Sequence, residues 1–465
     1  NDIPLDPETS GNSLAAQGTQ DFSAVVTTSS PPPPGNYFVI VQTDRRHQVP
    51  NETNRANNVL STVAATTAPS AITSVSTTIP GGQTSTAFTV TNCAIDACGR
   101  GIAVQGSAVT VVPVLTITDN TIGSATSGNP TTVYSRGMTL QGFGSGTIAR
   151  NTIRNIESYL ATSVQGIGLG EVSASGTLAV VEGNSIFNVY NQNTGTFGAY
   201  GINVNVGASI TVRNNCIRDV KNSQVAGTGA FSTTFGVFGI RIGTSVGHSV
   251  LHNTVHLSGA IPGVISTDLT ACLGIVGTGQ TGCDVRNNIF SNVLTGGNPT
   301  GFSTTHTCIY LPSGGTSAMG LTLNNNAYYV GSTPWSLLGK AGTTVLTLQY
   351  TAAAFDASTT VPAANLRSYS TLLHVPATND NASFAALTAV PLAGGCGIDV
   401  SMVPEATPLF LTGASAGVLT DIDGDPRGAT PCIGAEEISF ATCVGIRVTG
   451  TSRLTGGSSL CAGLT

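Results

Sequence analysis

The stretch Val181-Glu-Gly-Asn184-Ser-Ile186 decides the fold: an aliphatic residue, two variable residues, an Asn, and an apolar residue two positions on. The pattern recurs at Ile117-Thr-Asp-Asn120-Thr-Ile122, Ile148-Ala-Arg-Asn151-Thr-Ile153 and Val212-Arg-Asn-Asn215-Cys-Ile217. It returns at Val250-Leu-His-Asn253-Thr-Val255, Val285-Arg-Asn-Asn288-Ile-Phe290 and Leu323-Asn-Asn-Asn326-Ala-Tyr328. Successive Asn lie 31, 33, 31, 38, 35 and 38 residues apart. A repeat of that length marks a solenoid, because one unit cannot bury its apolar face alone and stacked neighbours can.

A second marker precedes each Asn. It reads Gly101-Ile102, Gly137-Met138, Gly166-Ile167, Gly201-Ile202, Gly239-Ile240, Gly274-Ile275 and, with Cys in place of Gly, Cys308-Ile309. Around both markers apolar and polar residues alternate, as in Ile202-Asn-Val204-Asn-Val206. Period two is the strand signature, and no long 3.6-period stretch lies between. The expected fold is all-β: a parallel β-helix of about seven to eight coils, each giving three short strands to three long sheets. Its core is expected to stack Ile102, Met138, Ile167, Ile202, Ile240, Ile275 and Ile309, with Val104, Leu140, Leu169, Val204, Ile242 and Leu311 behind.

The Asn is expected at a strand-to-strand turn, since Asn tolerates the left-handed backbone region. Equivalent Asn would stack at the strand spacing of about 4.8 Å and hydrogen-bond along the stack. A second partial row follows at Asn155, Asn188, Asp219 and Asn292. Both rows read as structural.

Over residues 85–335 the repeat resembles the right-handed parallel β-helix repeats of the pectin-lyase-like superfamily. That resemblance implies a fold. It implies no single activity, because the superfamily holds lyases, hydrolases, tailspikes and non-enzymatic surface proteins.

Composition narrows the class. Only 9% of the 465 residues are charged, against a usual ~25%. A net charge of −6 over this length argues against a nucleic-acid partner. Ten Cys without zinc spacing favour disulfides and an oxidising, extracellular location. The expected bonds join Cys93 with Cys98, Cys272 with Cys283, Cys396 with Cys432 and Cys443 with Cys461; Cys216, beside a ladder Asn, is expected to be a buried thiol.

The two ends read differently. Residues 1–62 contain a strand at Tyr37-Phe-Val-Ile-Val41 and close on Asn57-Asn58, resembling the later half of a CARDB domain, an Ig-like module of bacterial cell-surface proteins. Residues 63–84 read as a linker, and 336–437 as a segment capping the β-helix. Its closing run, Asp421-Ile-Asp423-Gly-Asp425-Pro-Arg427 and then Ile433-Gly-Ala-Glu436-Glu437, is similar to the tail of many secreted bacterial β-helix proteins. Residues 438–465 resemble the first strands of an Ig-like repeat. Both ends read as interrupted modules, so the chain is expected to belong to something longer.

Little chemistry is expected. On the strand after each Gly marker the outward residues are expected to be Ala103 and Gln105, Thr139 and Gln141, Gly168 and Gly170, Asn203 and Asn205, then Arg241, Val276 and Tyr310. One is charged and none is acidic. A pectate-lyase-like enzyme needs a Lys or Arg base and usually Ca²⁺-binding acids; a glycoside hydrolase needs clustered carboxylates. The candidate ligand-binding residues are Gln105, Gln141, Asn203, Asn205 and Tyr310, a neutral face suited to an uncharged glycan or a protein. Arg154 and Arg218, with Glu157 and Asp219 nearby, are the alternative site, for an acidic glycan. His248, His252 and His256 are not expected to share a face. Asp421, Asp423 and Asp425 open like a Ca²⁺ loop, but the twelfth position is Cys432, so an Asx-type turn is expected and Ca²⁺ is the alternative.

The expected function is a non-enzymatic stalk, adhesin or filament segment of a large bacterial surface protein. Its expected partners are neighbouring domains, copies of itself, or a cell-surface glycan or protein. The alternative is a polysaccharide lyase or glycoside hydrolase, rescued by residues such as Glu171 or Asp268 brought in from insertions. No cofactor other than that Ca²⁺ is expected.

Overall fold

The computed structural model describes residues 70–75, 87–105, 112–128, 133–171, 178–195, 197–207, 209–223, 236–244, 246–261, 269–277, 280–296, 305–311, 321–330, 336–341, 413 and 415–437. The CARDB-like and Ig-like stretches expected at 1–62 and 438–465 lie outside these residues.

One coil shows how the chain is built. Val164–Leu169 belongs to a first sheet, Leu178–Glu182 to a second, and Ser185–Asn191 to a third. The next coil repeats the order and pairs with it in parallel, strand for strand. The three sheets hold nine, eight and eight strands. The result is a parallel β-solenoid, as the repeat implies. It reaches past residues 85–335 at both ends. Ser70–Val75, inside the expected linker, pairs with Arg100–Gln105, and Ser336–Ala341, inside the expected cap, pairs with Thr305–Leu311.

Register identifies the core. Ile102, Met138, Ile167, Ile202 and Ile240 stack as expected. The next member is Leu273, because Ile240 pairs with Leu273 and Leu273 with Ile309. Ile275 instead pairs with Ile242 and continues the second row. The sixth marker is therefore Cys272-Leu273. The sequence masks it: Gly274 satisfies the pattern two positions late but sits on the outer side, paired with Arg241 and Tyr310. Facing these rows are Ile117, Ile148 and Val181 of the second sheet and Ile122, Ile153 and Ile186 of the third, all fully buried.

The Gly of the marker is required by space. A Cβ on Gly166 would lie 2.7 Å from the Gly201 carbonyl oxygen and 2.8 Å from Ile186 Cγ2. Gly137 and Gly201 meet the same two kinds of atom. An added Cβ there would meet both the next coil and the third sheet.

The Asn ladder forms over all seven positions. Asn151 donates through its main-chain N–H and through Nδ2 to Oδ1 of Asn184, at 3.0 and 2.9 Å. The same double bond joins Asn120 to Asn151, Asn184 to Asn215, Asn215 to Asn253, Asn253 to Asn288 and Asn288 to Asn326. The second Nδ2 hydrogen reaches back a coil, as from Asn184 to Ile148 O at 2.9 Å. Donors and acceptors of these buried amides are thus satisfied, as burial demands.

One expectation is corrected. The left-handed residue is the one before each ladder Asn: Asp119, Arg150, Gly183, Asn214, His252, Asn287 and Asn325 have φ between 52° and 63°. The ladder Asn recurs for its amide, and the turn is made by its neighbour. In the second row, Asn155, Asn188 and Asp219 do take positive φ, of 51° to 55°, while Asn292 does not.

Candidate functional site

The outer side of the first sheet carries the densest polar cluster. Residues just before each marker Gly form a column in register: Arg100, Arg136, Gln165, Tyr200 and Phe238. Two of these side chains lie over the outward glycines: a Cβ on Gly168 would meet the Gln165 amide, and one on Gly274 the Phe238 ring. Reading outward residues only after the marker overlooks this column. The Arg-Gly pairs at 100–101 and 136–137 are its visible signal in the sequence.

Glu171 enters from the loop after Leu169. Its Oε1 accepts Nε of Arg136 at 2.9 Å and also Nε2 of Gln165. Gln165 Oε1 accepts Nδ2 of Asn203 at 3.1 Å. Arg241 Nη1 then donates to Oδ1 of Asn203 at 3.1 Å and of Asn205 at 3.2 Å. Its guanidinium lies 5.7 Å from the centre of the Tyr200 ring. Of the three guanidiniums, Arg136 alone bonds to the carboxylate; Arg100 feels its charge, and Arg241 is held by the two Asn. Burial holds Arg241 below the usual Arg range, and burial with Arg136 nearby does the same to Arg100. The expectation of a single charge on this face is therefore corrected.

Farther along, the face turns apolar. Tyr200, Phe238, Leu269, Ala271 and Tyr310 form a cluster separate from the core. Lys340, beside Tyr310 in register, is 1% exposed, and burial lowers its pKa to about 8. Among the five candidate ligand contacts, Gln105 is exposed and Asn205 half-buried, whereas Gln141, Asn203 and Tyr310 are buried. Asn203 is a covered part of the network, and Tyr310 belongs to the aromatic cluster. Val276, expected in the outward column, is displaced from it by Gly274.

The alternative site, on the third sheet, is internally paired. Phe187 stands between Arg154 and Arg218 in register, and the Arg218 guanidinium sits 4.4 Å from its ring centre. Lys221 covers Tyr190 in the same way at 4.6 Å. Glu157 is buried and accepts Ser127 Oγ at 2.6 Å, Asn188 Nδ2 at 2.7 Å and the Gly128 N–H at 3.1 Å. Asp219 accepts Ser258 Oγ at 2.8 Å. These carboxylates hold turns together.

The closing run lies along the flank of the solenoid. Asn214 Nδ2 donates to Thr420 O at 2.6 Å, the Ala435 N–H to Thr254 Oγ1 at 3.0 Å, and the Gly434 N–H to Asn287 O at 2.8 Å. The described part of the expected cap thus crosses the turns of successive coils. Arg427 fastens it, through Glu437 Oε2 at 2.7 Å, the carbonyls of Gly434 and Ala435 at 2.9 Å, and Asn214 Oδ1 at 3.1 Å. Asp421 makes the expected Asx-type turn: Oδ1 accepts the N–H of Asp423 and Asp425, and Oδ2 that of Glu437. The backbone thereby uses both oxygens that a Ca²⁺ would need, while the side chains of Asp423 and Asp425 stay exposed. Among the described residues no three His, Cys, Asp or Glu converge to hold a metal ion.

The three histidines are separate; His248 and His252 are buried and His256 is half-buried. His248 accepts the Ile210 N–H, His252 contacts Asn287 Nδ2 under the closing run, and His256 contacts Ser291 Oγ. Two expected disulfides are not present in this structure, whose described cysteines are all free thiols. The Cys93 thiol donates to Thr91 O at 3.4 Å and the Cys283 thiol to Gln280 Oε1 at 3.6 Å. Cys93 is thus not bonded to Cys98, nor Cys272 to Cys283. The other two expected bonds, of Cys396 with Cys432 and of Cys443 with Cys461, fall outside the described residues. Of these four cysteines Cys432 alone is described; Cys396, Cys443 and Cys461 are not. Compared with known protein families and with curated proteins, the sequence matches none.

Proposed function

We propose that this chain is a rigid, non-enzymatic segment of an extracellular surface protein, a stalk or adhesin, and that the outer face of its first sheet contacts a glycan. One observation carries the reading. The single carboxylate of the network on that face, Glu171, is bound by Arg136 and Gln165, so among the described residues, which do not include Asp268, no second carboxylate joins that network for acid–base work. The excess of guanidinium over carboxylate favours a glycan bearing acidic groups over the neutral one expected from the sequence. Binding of the full chain to an array of acidic and neutral glycans, before and after Arg241→Gln, tests this. Retention of an acidic glycan that weakens at least tenfold in the variant supports it, and preference for neutral glycans overturns it.

A polysaccharide lyase is the second reading. Buried Lys340, whose pKa falls to about 8, is the base that favours it. Unsaturated product, followed by its ultraviolet absorbance after incubation with polyuronates, would replace the first reading with this one.

A further inference from the structure

Cys272 and Cys308 occupy the marker position where five successive coils carry Gly. Glycine is used there because a Cβ would crowd the neighbouring coil: on Gly239 it would lie 2.8 Å from Cys272 O and 2.2 Å from Val255 Cγ1. Two consecutive coils nevertheless replace it, both with Cys. Their strands pair through Ala271 with Thr307 and Leu273 with Ile309, so the two cysteines are direct register neighbours. Adjacent strands lie about 4.8 Å apart, inside the Cα separation that a disulfide spans. Both cysteines are free thiols in this structure and 0% exposed, and Cys308 lies close enough to help raise the pKa of the Cys272 thiol. Cys308 also donates to Phe290 O at 3.1 Å. Cys216, by contrast, pairs in register with Ser185 and Thr254.

We propose that Cys272 and Cys308 are a covalent modification site: they join as an intercoil disulfide that closes the loop of one full coil near the C-terminal end of the described solenoid. The reaction is thiol–disulfide exchange with a small disulfide oxidant such as oxidised glutathione. One cysteine thiolate attacks the oxidant's S–S bond, and one glutathione leaves as a thiol. The second cysteine then displaces the other glutathione and closes the Cys272–Cys308 bond. Two thiol protons leave the protein, and its two electrons pass to the oxidant. Burial holds the Cys272 thiol well above its ordinary pKa and keeps small molecules out, so the bond forms while the chain folds or opens. It makes the position tolerable in exchange for glycine, because the two sulfurs share one space instead of competing for it. The inference is independent of any glycan.

The experiment is refolding of the full chain in a mixture of oxidised and reduced glutathione, then proteolysis without reductant and mass analysis. The expected result is one dominant cross-linked species joining the Cys272 and Cys308 peptides. Reduction should remove it and lower the Tm by several degrees. Cys283→Ala should leave the cross-link in place; Cys272→Ser should abolish it. Because Cys272→Ser can also disturb folding, the Cys283→Ala map decides. Cys272 found with any other cysteine, or both thiols still reduced in refolded protein, overturns the proposal.

Discussion

Asn184 and Asn215 share one acceptor: the main-chain N–H and the Nδ2 of Asn184 both donate to Oδ1 of Asn215, at 3.0 and 2.9 Å. Cutting the ladder at Asn184 therefore strips bonds in two directions. The N–H and Nδ2 of Asn151 lose Asn184 Oδ1, and Ile148 O loses its side-chain donor. An orphaned buried group costs about 1–3 kcal/mol. By that measure Asn184→Ala should cost about 3 kcal/mol or more in urea unfolding. A loss below about 0.5 kcal/mol, the usual size of a neutral surface change, would sink the idea that the ladder stabilises the coil stack.

The marker glycine yields a steric prediction. Gly166→Ala places a methyl group 2.7 Å from a backbone oxygen that cannot turn away. Overpacking of a tight core costs about 1–3 kcal/mol, and calorimetry should show it as a lower Tm. The equivalent change at Gly428, whose added Cβ meets nothing within 4 Å, should be near neutral. Equal effects at the two sites would remove the close approach as the reason for glycine.

How legible is this in the sequence? The solenoid, the ladder and most core rows are readable because each depends on a residue type repeated at one place per coil. Leu273 is hidden because Gly274 imitates the marker two positions late. The polar cluster is hidden for another reason. Arg136 and Glu171 lie 35 residues apart, and the stacking of one coil on the next brings them together. Disulfide partners are unreadable for the same cause: Cys93, near Cys98 in the chain, turns its thiol to Thr91 O, while Cys272 and Cys308 are neighbours only across one coil.

The closing run depends on one side chain. Arg427 bonds to both its own segment and Asn214 on the solenoid, and in its ion pair with Glu437 its side chain is 1% exposed. Lys cannot reproduce that planar set of donors. Arg427→Lys should free residues 415–437 from the flank, at a cost of about 2–4 kcal/mol in local opening. Hydrogen exchange at the Gly434 N–H, now bonded to Asn287 O at 2.8 Å, should accelerate markedly. The ladder amides should keep their protection. Unchanged exchange at Gly434 would show that other contacts hold the segment.

Acid should loosen the solenoid before carboxylates do. Burial lowers the pKa of His248 to about 4, of His252 to about 3 and of His306 to about 4. The unfolded chain holds ordinary imidazoles near about 6.5. Below that pH the unfolded state binds more protons than the folded one, so stability falls as pH drops toward the folded values. Each imidazole contributes about 1.4 kcal/mol per pH unit within that window. Glu436 opposes this weakly: half-buried beside Asp421, Asp423 and Asp425, it has a pKa raised to about 7. Its contribution is present at low pH and is lost as pH rises through that value. His306 is the cleanest test, because it contacts the Thr270 hydroxyl at 2.9 Å and Gly296 O at 3.3 Å, with no charged group among the causes of its shift. His306→Gln should flatten the fall in Tm between about pH 6.5 and 4. A slope equal to that of the unaltered chain would assign the acid sensitivity to other groups.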